Sequence, residues 1–144
     1  MMLQINLLQD SDIPLVVALW RACELIKSWN DPLADIAQAR RSGSAQFFVG
    51  KIGQNIVASA MAGDDGHRGW LYYVAVDPAH RGHGYGRALV AAAEAWLEKR
   101  GIPKTQLMIR TDNGAVRGFY KALGYDEQPR IIMARWLDGR PITP

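Results

Sequence analysis

Six residues in the middle of the chain carry its clearest chemical signal. Arg81-Gly82-His83-Gly84-Tyr85-Gly86 follow an apolar, strand-like run and open a long helical pattern. Glycines at 82, 84 and 86 let the backbone approach a ligand without interference from a Cβ. The first-turn amides of the following helix would be unpaired and would carry the positive end of its dipole. That arrangement binds an anion, most naturally a pyrophosphate. Arg81, Arg87 and His83 can add positive charge. Two common phosphate motifs are absent. No Gly-Lys-Ser/Thr follows, so the loop is not a P-loop. If Gly82 and Gly84 opened a Rossmann fingerprint, its third glycine would fall where this chain has Arg87. The bland alternative is a loop that only turns the chain, and its place at a helix start argues against that.

The elements that must position this loop read as a mixed α/β pattern. Residues 3–7 alternate with period two, a short strand. Ser11 or Asp12 would cap a helix through Cys23, with Pro14 in its first turn. Asn30-Asp31-Pro32 starts a second helix, through Ala39 or Arg40. Strands are predicted over 46–52 and 56–62, joined by a turn at Gly53-Gln54-Asn55. A polar turn, 63–69, leads to a strand over Trp70–Val76, closed by Asp77-Pro78. The central helix runs to Arg100, with Leu89, Val90, Ala93, Trp96 and Leu97 at helical spacing. Strand 105–110, helix 113–123 and strand 131–137 complete the order β-α-α-β-β-β-α-β-α-β. The tail, 138–144, reads as loose. There is no repeat, low-complexity tract or linker, so one domain spanning 1–144 is expected.

Composition narrows the classes. At 144 residues and 49% hydrophobic, the chain can bury a core without disulfides or a structural metal. One cysteine, Cys23, makes neither an internal disulfide nor a multi-cysteine zinc site. His80 and His83 lack a third ligand at suitable spacing, so no metal is expected. A net charge of +3 is too weak and dispersed to argue for nucleic acid. No apolar run reaches the ~18 residues of a membrane span. The first residues lack the features of a signal peptide. A cytoplasmic location is the expectation.

The segment Val76-Asp77-Pro78-Ala79-His80-Arg81-Gly82-His83-Gly84-Tyr85-Gly86-Arg87-Ala88-Leu89 resembles the acetyl-CoA-binding segment of the GNAT N-acetyltransferase family. Arg81, Gly84 and Gly86 fill the pattern Gln/Arg-x-x-Gly-x-Gly/Ala. Asn113 and Phe119-Tyr120-Lys121-Ala122-Leu123-Gly124-Tyr125 resemble a second segment of the same family. The element order matches along almost the entire chain. Residues 29–32 and 64–69 are also similar to small stand-alone bacterial acetyltransferases of the YpeA type.

The resemblance implies a GNAT fold, with a mostly antiparallel mixed sheet and helices on both faces. It implies transfer of an acetyl group from acetyl-CoA, as cosubstrate, to a primary amine by direct attack on the thioester. The backbone of Val74 and Val76 would pair with the pantetheine arm. Amides of Gly82, His83, Gly84, Tyr85 and Gly86 would hold the pyrophosphate, with Arg81 and Arg87 beside it. Asn113 would orient the arm. Amides near Val76 would serve the oxyanion. Tyr120 would protonate or hydrogen-bond the leaving thiolate, although it also reads as a core aromatic.

A base is less legible. The strand 70–76 holds no carboxylate, so Asp64, Asp65 or His67 from the preceding turn, or a water chain, would serve. The acceptor pocket implied by the fold draws on Trp29, Asn30, Asp64 and Tyr72, with Asp31, Asp65 and Tyr73 near them. Asn30 and Asp31 also read as helix caps, and the aromatics as core. The acceptor is a small molecule or a protein N-terminus or lysine, and homodimerisation stays open. Two other classes compete: a CoA-binding sensor or interaction module without turnover, and a nucleotide-binding regulator. The missing strand carboxylate supports the sensor, and Tyr120 argues against it.

Overall fold

The computed structural model describes residues 2–143. The chain forms two compact units, one up to Leu107 and one from Met108. The first unit is built on a five-stranded sheet in the order β1-β2-β3-β4-β5. β1 (Gln4–Leu7), β2 (Ala45–Ile52), β3 (Asn55–Asp64) and β4 (Gly69–Val76) pair antiparallel in sequence. β5 (Thr105–Gln106) runs parallel to β4. Two helices, α1 (Ile13–Ala22) and α2 (Pro32–Ser42), precede β2, and α3 (Tyr85–Lys99) follows β4. This is the expected mixed, mostly antiparallel architecture.

Local chemistry accounts for the boundaries. Asp31 caps α2 by accepting from the amides of Leu33 and Ala34, at 3.0 and 3.2 Å, and Pro32 occupies the first turn, where no amide partner is needed. The expected cap of α1 takes another form. Asp10–Asp12 make a 3-10 turn, and the Asp12 carboxylate accepts from the Gln9 amide at 2.9 Å and pairs with Lys51 at 2.8 Å. Ile52 and Asn55 pair across a two-residue turn, so β3 begins one residue earlier than expected.

Alternation along the strands sends side chains to two cores. On one face Val16, Leu19 and Trp20 of α1 and Ile36 and Ala39 of α2 cluster with Phe47 and Val49. On the other face lies the buried stripe of α3, Leu89, Val90, Ala93 and Leu97. Helices thus cover both faces. α3 also fixes the start of β4: a Cβ at Gly69 would stand 2.7 Å from a Leu97 methyl, so only glycine allows this approach.

The second unit contains α4 (Gly114–Ala122), capped by Asn113, whose side chain accepts from the Val116 amide at 3.2 Å. Two sequence expectations need correction. The strand predicted over 105–110 shortens to Thr105–Gln106, because ladder pairing to β4 stops after Trp70. The strand predicted over 131–137 does not form. Its apolar residues have no partner strand among the described residues, and Ile131, Ile132, Met133 and Leu137 are exposed. The final β in the expected element order is therefore absent among the described residues. Residues 138–143, expected as a loose tail, form no helix or strand.

Candidate active site

The site is best built from the middle of β4. Met61 pairs with Tyr72 and Ser59 with Ala75, so Tyr73 and Val74 together oppose Ala60. This is a β-bulge, and Tyr73 takes a left-handed φ of +50°. A non-glycine residue is strained there and persists only where its surroundings hold it. Trp20 stacks on the Tyr73 ring at 3.9 Å between centroids. The Tyr73 hydroxyl donates to Asp35 Oδ2 at 2.6 Å and accepts from Asn30 Nδ2 at 2.9 Å. Beneath it, Ser59 Oγ donates to the Tyr73 carbonyl at 2.7 Å and accepts from Trp20 Nε1 at 2.9 Å. Burial, then the Asp35 carboxylate, push the Tyr73 phenol well above its ordinary pKa, so it stays a donor.

Beyond the bulge, β4 has a free edge. The Asp77 amide bonds the Val57 carbonyl at 2.8 Å, and alternation then turns the amide and carbonyl of Val76 away from β3. β5 pairs with Gly69 and Trp70, so residues 71–76 have no strand on that side among the described residues. The Val76 carbonyl accepts from Arg81 Nε at 3.2 Å and from Cys23 Sγ at 3.3 Å. Burial raises the Cys23 pKa despite the nearby Arg81 guanidinium, which keeps the thiol protonated.

The chain then turns through Pro78–His80, capped by Asp77, into the glycine loop. Gly82 and Gly84 have φ of +85° and +77°, conformations that L side chains avoid. Gly84 is the N-cap of α3, and no side chain caps that end. The first amide to bond within the helix is that of Ala88, to the Gly84 carbonyl at 3.1 Å. The earlier amides at 85–87 are left for an anion. His83 and Tyr85 lie ring to ring at 5.5 Å, and Gly82, His83 and Arg87 are exposed.

Two adjoining cavities open beside the bulge. One, about 300 Å³, is lined by Leu25, Lys27, Trp29, Asn30, Asp35, Tyr72 and Tyr73. The other, about 310 Å³, shares Asp35, Tyr72 and Tyr73 and adds residues of α2, β2 and β3. Trp29, Asn30 and Tyr72 thus come together as the sequence suggested. Asp64 does not join them. It lies at the far end of β3, bonded to Arg100 Nε at 3.0 Å and to the Gly66 amide at 2.8 Å. Asp65 is also engaged, accepting from the amides of Arg68 and His67 and from Trp70 Nε1. Those bonds, Arg68 first, hold its carboxyl down at about 2, which makes it a poor base. Asp35 is the acid the sequence reading missed. It stands four residues after the helix cap Asp31, but its neighbour Tyr73 is 38 residues away.

In the second unit, Asn113 is occupied as the α4 cap, and Tyr120 is buried between the rings of Phe119 and Tyr125, at 4.9 and 5.5 Å. Burial pushes its phenol up to about 12. Among the described residues, no three His, Cys, Asp or Glu cluster as metal ligands, and no helix is long and apolar enough to cross a membrane.

A bulged strand with a free edge, leading through glycines to an uncapped helix, defines an acyl-CoA-type transferase frame, and comparison with known proteins agrees. The acetyltransferase (GNAT) family model matches residues 14–125. An acetyltransferase of Yersinia pestis is 40% identical, over 94% of this chain and 96% of its own length. One from Pectobacterium atrosepticum is 39% identical over the same shares. The chain belongs to the GNAT acetyltransferase family and is by that membership an N-acetyltransferase.

Solved structures share the fold at lower identity. The aminoglycoside N-acetyltransferase AAC(6')-Iy in complex with CoA has a TM-score of 0.83 at 20% identity, covering 94% of this chain and 95% of the other. An acetyltransferase from Clostridium acetobutylicum, solved with acetyl-CoA, has a TM-score of 0.77 at 16% identity, covering 97% and 100%.

Proposed function

We propose that this chain transfers an acetyl group from acetyl-CoA to a primary amine by direct attack on the thioester. The observation that carries the reading is the joint presence of the bulged, unpaired end of β4 and the uncapped start of α3. The outward backbone of Val74 and the outward amide of Val76 suit the amides of a pantetheine arm, and the Val76 carbonyl, held by Arg81 and Cys23, would have to exchange those partners to join them. The free amides at 85–87, with those of the glycine loop, suit a pyrophosphate. Arg81 is tied to the end of β4 through Nε and stands at the start of the glycine loop, where its exposed charge suits the pyrophosphate. Arg87 adds charge one turn into the helix.

The chemistry asks for a neutral amine, donors for the developing oxyanion and a proton for the departing thiolate. Amides of the bulged strand near Val76 fit the second need. Tyr120 matches the family position for the third. A phenol pushed up to about 12 remains protonated at neutral pH, so it is available as a donor. The cavity beside Tyr73 fits the acceptor, because it places a carboxylate and aromatic walls next to the bulge. The family resemblance gives Asn113 the role of orienting the arm, and its side chain holds the first turn of α4.

Thiol release from acetyl-CoA, with small amines and N-terminal peptides as acceptors, tests the reading. Amine-dependent release is the expected result, slowed about 10²–10³-fold by Tyr120→Phe. CoA binding without release for any acceptor would favour the sensor reading. Failure to bind CoA would overturn both.

A further inference from the structure

The cavity beside Tyr73 carries one charge of each sign. Asp35 and Lys27 both line it, and among the described residues neither belongs to an ion pair. The Lys27 backbone and the Asp35 carboxylate stand at opposite ends of a short relay. The Lys27 amide donates to Asn30 Oδ1 at 2.8 Å, Asn30 Nδ2 to the Tyr73 hydroxyl, and that hydroxyl to Asp35. This relay fixes the Asp35 carboxylate against the strained residue of the bulge. Its second oxygen, Oδ1, takes no bond from the Tyr73 hydroxyl. The rings of Trp29, Tyr72 and Tyr73 complete the wall, and aromatic faces favour a cation beside a carboxylate.

We infer that the acceptor presents one ammonium to Asp35 and turns a neutral or anionic end toward Lys27, so that a zwitterionic amine is preferred over a polycation. The inference deepens the proposed function and rests on it for the reaction. A second ammonium directed toward Lys27 would meet a like charge, whereas a carboxylate would meet an opposite one. The adjoining cavity does not rescue a polycation. It shares Asp35 and adds only uncharged residues, among them Gln38, Ser42 and Met61. The two cavities therefore hold a single carboxylate between them.

Three ligands of matched length separate the outcomes: 5-aminopentanoate, pentylamine and 1,5-diaminopentane. Their dissociation constants are read by calorimetry on the CoA-loaded protein, with acetyl-CoA binding measured on the same samples. The wild type is expected to bind 5-aminopentanoate about two- to fivefold more tightly than pentylamine, and diaminopentane more weakly by a similar factor. Asp35→Asn should weaken all three about tenfold, since each loses its charge-assisted bond. Lys27→Glu should reverse the order of the two ligands with charged ends, a change that a merely structural role for Lys27 would not produce.

Equal or tighter binding of diaminopentane to the wild type, or an order unmoved by Lys27→Glu, would overturn the inference. So would the absence of binding by all three in protein that binds acetyl-CoA, and that result would leave the proposed transferase standing. Protein that binds these amines but not acetyl-CoA would overturn the transferase instead.

Discussion

Tyr73 joins three demands in one residue: a strained backbone, a stacked ring and a hydroxyl that donates to one neighbour and accepts from another. Tyr73→Phe keeps the stack on Trp20 and removes only the hydroxyl. A loss of about 1 kcal/mol is expected for a half-exposed hydrogen bond to a carboxylate, read as a lower urea midpoint at unchanged slope. The Tyr120 phenol, proposed as the proton donor, behaves differently with pH. Because burial raises the Tyr120 pKa to about 12, the protonated form that can donate persists through neutral and mildly alkaline pH. A pH–rate profile should therefore show no activity loss from Tyr120 below about pH 11, whereas an unperturbed phenol would begin to lose its proton at about pH 9. A basic limb that starts at pH 8 and disappears in Tyr120→Phe would refute this assignment. Neither property was legible in the sequence. The family pattern points to Tyr120, but its burial depends on rings folded around it. Nothing in Trp-Leu-Tyr-Tyr-Val marks Tyr73 as left-handed, because that φ is imposed by the mismatch in register with β3.

Among the elements, the start of α1 depends on one buried ion pair. Asp12 is nearly inaccessible, and Lys51 from β2 and the Gln9 amide are its partners. Burial alone would raise the Asp12 pKa. The Lys51 and Gln9 bonds outweigh burial and hold it below the ordinary aspartate value. A lowered folded-state pKa contributes stability that is present above the unfolded value and fades as pH falls through the folded one. Acid should thus begin to remove this contribution below about pH 4, and Asp12→Ala should abolish that part of the acid dependence. The substitution leaves Lys51 without its partner in a largely buried place, so a loss of about 3 kcal/mol at neutral pH is expected from chemical denaturation. The sequence offered Ser11 or Asp12 as a cap for this helix. It identified the right segment but not the partner, because Lys51 lies across the sheet. Where the signal was local, as in Asn30-Asp31-Pro32 before α2 or the apolar stripe of α3, element and boundary were legible to within two or three residues.

Across the whole molecule, order in the backbone is uneven. The ladders of β2 and β3 are long and largely buried, while residues 126–136 make few backbone bonds and expose Ile131, Ile132 and Met133. Hydrogen exchange should divide accordingly, with β3 amides exchanging only through global opening and amides 131–136 at nearly unprotected rates. Strong protection over 131–136 would show instead that a strand forms there. The apolar run in that segment was a fair sign of a strand, but such a run states only that a strand would have apolar side chains to bury. It does not supply the neighbour, and pairing is what makes a strand. The sequence was most informative where partners are close along the chain, and the glycine loop with its helix is such a case.

The unpaired length of β4 has one more consequence, for crowded solutions. The outward backbone groups of alternate residues beyond Trp70 are a template for any extended chain that reaches them, including another copy of this protein. A ligand lying along that edge and a neighbour adding to it would draw on the same donors and acceptors. Occupancy by one excludes the other, so a well-supplied cell would keep this protein dispersed by the same contacts that ready it for work.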